Sequence, residues 1–108
     1  MLKVNGRAWR ILLVKPNDIN LVDDNGIYTL GMTDNLKSTI YLSDRLNNEM
    51  LYKVLCHEVV HAYCFSYNLI KDRAEEERLA QFISEYGRSI ISDTDSLLKH
   101  ILYSNIAL

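Results

Sequence analysis

The chain has 108 residues, a length that suits one domain with a modest core. Apolar residues make up 48% of it, with one Pro and four Gly, which excludes a disordered or fibrous chain. Twelve basic against fourteen acidic side chains give a formal net charge of -2, so composition offers no electrostatic reason to expect nucleic acid or an anionic membrane as a partner.

The segment Met1 to Arg7 is basic, but the apolar run that follows, Ile11 to Val14, is too short for a signal-peptide core. No stretch approaches transmembrane length. Arg7 to Val14 is rich in aromatic and branched residues and reads as a strand, stopped by Lys15-Pro16-Asn17-Asp18. Ile19 to Val22 alternates weakly. Asp23-Asp24-Asn25-Gly26 is a turn signal, because Asn-Gly tolerates positive φ. A second strand is predicted over Ile27 to Thr33, broken by Asp34-Asn35, and a third over Ser38 to Leu42. Together they make a small, mostly antiparallel sheet.

Helices follow. Asn47 can cap a helix from about Asn48 to Tyr67, whose Leu51, Leu55, Val59 and Ala62 form one stripe, with Asn68 at its C-terminus. Asp72 with Glu75 makes a capping-box-like start for a second helix with Leu79, Phe82, Ile83, Tyr86 and Ile90 as its stripe. Ser92 or Thr94 can open a third, with Leu97, Leu98, Ile101 and Leu102 apolar. The expectation is a single α+β domain over residues 1–108, sheet first and helices after.

Chemistry concentrates in His57-Glu58-Val59-Val60-His61. On a helix, positions i and i+4 lie one above the other, so both imidazoles can reach one ion. Glu58 sits ~100° round from His57 and ~60° from His61, flanking the ligand face. A carboxylate there is placed to take a proton from water that a metal has acidified, the chemistry of HExxH peptide hydrolysis. Zinc needs a third protein ligand and an open position. His100 is one candidate, and the acidic run Glu75-Glu76-Glu77, 14 to 16 residues past His61, offers others. Glu75 already serves as capping partner, and Glu76 lies on the flank of the apolar stripe. Glu77 shares its face with Ala80, Gln81 and Ser84, small or polar residues that permit close approach of the first helix.

Cys56 and Cys64 are eight apart on one helix, about 12 Å along its axis, too far for a disulfide. Two free thiols suit a reducing compartment, so a cytoplasmic protein is expected. Cys64 shares the histidine face but lies a turn beyond the ion, so it reads as core. Tyr67, Tyr86, Tyr103 or His100 could stabilise an oxyanion.

The HExxH motif followed by Glu77-Arg78-Leu79-Ala80-Gln81 resembles the gluzincins, zinc peptidases whose third ligand is a glutamate, and within them the minimal, ImmA/IrrE-like metallopeptidases of phages and mobile elements. The resemblance runs from about Ser38 to Gly87. It implies a zincin-like fold, one zinc ion, His57, His61 and Glu77 as its ligands, and Glu58 as general base. Gln81 departs from the pattern, which has Asp or Asn there to hold a ligand histidine. Were Glu76 the ligand, Leu79 and Ala80 would stand at the patterned positions. The expected partner is a peptide or protein substrate, paired with an exposed sheet edge such as Thr39 to Leu42. The alternative is a catalytically silent zinc-binding regulatory module on the same scaffold, against which an intact Glu58 argues.

Overall fold

A computed structural model describes residues 2–69 and 72–104. Among these residues, four strands and two α-helices make up the α+β domain: β1 (Leu2–Val4), β2 (Arg7–Val14), β3 (Gly31–Asp34), β4 (Thr39–Ser43), α1 (Asn48–Tyr67) and α2 (Arg73–Ser104). The sheet order is β1-β2-β4-β3. Its outer pairs are antiparallel, but the central pair, β2 with β4, is parallel, so the sheet is mixed.

Two short-range signals explain the strands. Asn5 and Gly6 both take positive φ, at 49° and 78°, which is the two-residue hairpin turn that pairs Val4 with Arg7. β1 was not foreseen, although this Asn-Gly pair announces it. The strand expected over Ile27 to Thr33 shrinks to Gly31–Asp34. Upstream of it, Thr29 bonds back to the Leu21 carbonyl through both its N–H (2.8 Å) and its hydroxyl (2.7 Å). That carbonyl belongs to a 3-10 turn, Ile19–Leu21, which replaces the weak alternation; Asp18 caps it by accepting from the Asn20 N–H at 2.8 Å.

β4 lies inside the sheet, and all five of its residues are buried. Thr39 to Leu42 is therefore no edge; the edge on that side is β3. Ile40 and Leu42 face a core with Val4, Trp9 and Ala62, and Leu51, Val54, Leu55, Val59 and Phe65 of α1 pack against it. The expected α1 stripe thus faces the sheet. A second apolar face of α1, Val60 and Cys64, meets Ala80, Leu79 and Ile83 of α2.

α2 departs most from expectation. It is one helix of 32 residues, not two, and no cap forms near residue 94 because the Thr94 hydroxyl donates to the Ile90 carbonyl inside the helix at 2.8 Å. Its seam against α1 runs through small Ala80 and Ser84, while Phe82 and Tyr86 of the expected stripe are exposed. At its start Asp72 accepts from the Ala74 N–H at 2.9 Å, and Glu75 is exposed. No helix among the described residues is long and apolar enough to cross a membrane.

Trp9 anchors the main core. It is fully buried, and its indole N–H donates to the Ser66 hydroxyl at 2.9 Å. Trp9→Ala is expected to cost about 3–5 kcal/mol in urea unfolding, the usual scale for deleting a buried aromatic side chain. A cost below about 1 kcal/mol would show that the sheet–helix core does not depend on it.

Candidate functional site

The site begins with one turn of α1. His57 and His61 project side by side, their ring centroids 5.1 Å apart. The first turns of α2 bring a carboxylate across both. Glu77 Oε2 lies 3.1 Å from His57 Nε2, and Glu77 Oε1 lies 2.9 Å from His61 Nε2. One ligand atom from each of the three residues falls within 4.8 Å of the others, and the group could hold a metal ion. Two donors at ~2.1 Å from a tetrahedral ion are ~3.4 Å apart, close to the separations here, so the donor set fits zinc in spacing as in chemistry.

Glu58 lies beside this group, lining the same cleft, and is only 7% exposed. The Thr33 hydroxyl stands 2.8 Å from its Oε1 and 3.0 Å from its backbone carbonyl, so the edge strand fixes the carboxylate from the far side. Burial pushes the Glu58 carboxyl above its ordinary pKa, and the Glu77 charge adds a little. The Thr33 bond and the two histidines pull the other way without cancelling the rise.

Gly31 permits this closeness. A Cβ there would sit 2.8 Å from Val54 Cγ1 and 3.0 Å from Glu58 Cγ, so only glycine lets β3 lie this near α1. Gly31 and Thr33 were not foreseen as site residues. An isolated Gly within a strand pattern is the one signal that could have pointed to a close backbone approach. The cleft, of about 1240 Å³, runs between β3 with its preceding loop, the middle and C-terminal half of α1, and the start of α2. Arg73 and Asp24 line it and pair at 3.0 Å.

The other expected residues separate cleanly. Glu76 is buried against His61, with its Oε1 2.5 Å from Nδ1, the nitrogen opposite the one facing Glu77. Gln81 does not reach a histidine; it is exposed and donates to Glu85 at 3.2 Å. His100 stands 23 residues past Glu77 on the same helix, about 35 Å along its axis, and lies outside the cleft. Tyr67, Tyr86 and Tyr103 are exposed and line no part of the cleft, so none is placed for an oxyanion there. Cys64 is core, as expected, and burial pushes its thiol pKa up, with the Glu76 charge adding to the rise.

The raised Glu58 pKa has a consequence for stability. The folded chain holds this proton more tightly than the unfolded chain does. The associated stability is complete below about pH 4.3, the ordinary glutamate pKa, and is lost as pH rises through the raised value. In the metal-free protein, Glu58→Gln is therefore expected to raise the melting temperature at pH 7 and to leave it nearly unchanged near pH 4. An equal effect at both pH values would show that the charged form costs nothing. Searches against protein-family models, curated proteins and solved structures return no match to this chain, so its function must be read from the site itself.

Proposed function

We propose that this protein is a zinc-dependent metallopeptidase in which His57, His61 and Glu77 hold the ion and Glu58 is the general base. The observation that carries the reading is a convergence: two imidazole Nε2 atoms meet one carboxylate, and a buried glutamate stands next to them in an open cleft. Bound zinc would supply Lewis acidity, polarising a substrate carbonyl and making water acidic enough to give up a proton near neutral pH.

The chain's own groups do the rest. Glu58 accepts the proton of the attacking water and can return it to the leaving amine nitrogen. Its carboxylate is largely buried beside the histidines and held by Thr33, which places it for that shuttle. Thr33 keeps the carboxylate from rotating away. β3, at the sheet edge and lining the cleft, offers main-chain groups to an extended peptide, which would lie across the histidines. The resemblance to minimal gluzincins agrees with these assignments, and the two free cysteines agree with a cytoplasmic setting. A silent zinc module would have no use for a buried base, which is why the catalytic reading is preferred.

A zinc titration with a cleavage assay on casein, an unstructured protein, tests the reading. Wild type is expected to bind one zinc and to cut. Glu58→Gln should keep the metal and lose roughly 10²–10⁴-fold in rate, the usual share of a general base. Glu77→Gln should weaken zinc binding by at least about tenfold. Wild type that binds no zinc, or a Glu58→Gln variant that cuts as fast as wild type, would overturn it.

A further inference from the structure

His61 has a polar partner on each ring nitrogen. Nε2 faces Glu77 at 2.9 Å, and Nδ1 faces Glu76 Oε1 at 2.5 Å. A neutral imidazole carries one proton, and a nitrogen that binds a metal must present its lone pair. For Nε2 to be free, the proton has to sit on Nδ1, where it needs an acceptor. We propose that Glu76 is the positioning residue that holds His61 for metal binding, by accepting the Nδ1 proton and so turning the Nε2 lone pair toward Glu77. This rests on the reading of His57, His61 and Glu77 as a metal site.

Three features support it. First, both partners are buried, with side chains 10% and 9% exposed, so water cannot readily take the place of either. A carboxylate so enclosed is costly unless it is paired, and the imidazole N–H is what pairs it. Second, Gln81, where the resemblance leads one to expect the Asp or Asn anchor, is turned to solvent and bonded to Glu85. Third, Glu76 and Ala80 share a face of α2, and Ala80 is fully buried against α1, which lets Glu76 slip beneath the ring. The anchor has moved from after the ligand to the residue just before it. Glu76 and Glu77 therefore divide the ring between them, one on each nitrogen.

The prediction concerns the proton on His61 and the metal affinity, neither of which requires catalysis. Nitrogen-15 spectra of the metal-free wild type at about pH 9, above the ordinary histidine range, should place the His61 proton on Nδ1. In Glu76→Ala that preference should disappear and zinc affinity should fall about 10–100-fold. Glu76→Gln keeps an oxygen acceptor and should recover most of the loss. A wild-type proton on Nε2, or unchanged zinc affinity in Glu76→Ala, would overturn the proposal. So would a Glu76→Gln loss as large as that of Glu77→Gln, because it would make Glu76 a ligand. A wild type that binds zinc but cuts nothing would sink the peptidase reading and leave this one standing. The tautomer measurement stands even if zinc does not bind.

Discussion

Two adjacent carboxylates on α2 hold one imidazole on α1, and the site depends on this contact. One turn of helix can align two histidines without help from the rest of the chain. It cannot supply the third ligand, since no acidic residue of that turn projects the same way. The acid has to arrive from α2, so the depth to which α2 packs on α1 decides whether a metal site exists. Ala80 and Ser84 set that depth, both buried in the seam between the helices. A larger residue at either position would lift Glu77 away from the histidines, although it would touch neither.

The second constraint comes from the sheet. Gly31 allows β3 to lie against α1, and Thr33, two residues on, then reaches the Glu58 carboxylate. The Glu58 carboxylate is thus held between an edge strand and a helix, largely out of water. That placement costs folding stability while Glu58 is charged. On the proposed reading, it also puts the proton acceptor beside the strand on which an extended substrate would align. Under the proposed peptidase chemistry, stability is given up at the position that needs a poised carboxyl.

Much of this was legible in the residues, for physical reasons that differ by element. The histidine pair was readable because i and i+4 coincide on any helix, whatever surrounds it. The α1 stripe was readable because Leu51, Leu55, Val59 and Ala62 have nowhere to go but the sheet. Glu77 was preferred for its small neighbours, but Ala80 and Ser84 share the buried face of Glu76, while Glu77 is half exposed. Apart from β1, whose Asn5-Gly6 turn was a local signal passed over, and the break expected near Thr94, the failures were questions of tertiary pairing. Apolar alternation over Ile27 to Thr33 does not reveal that Thr29 bonds back to Leu21, nor does a run of branched residues at Thr39 to Leu42 distinguish a central strand from an edge. Polar Ser92 and Thr94 looked like a helix start, but a hydroxyl can bond the preceding turn equally well. The contact of Glu76 with His61 was hidden for a related reason: only the packing angle of α2 determines which acid meets which nitrogen.

The central claim is an open metal site built from two imidazoles and one carboxylate. X-ray absorption on the zinc-loaded protein tests it most directly, because it reports the donor atoms themselves. The expected spectrum has two imidazole nitrogens at ~2.0–2.1 Å and oxygen donors at ~2.0–2.2 Å, one of them from water. A sulfur shell at ~2.3 Å would assign the ion to a cysteine and contradict the account, as would a set of four protein ligands with no place for water.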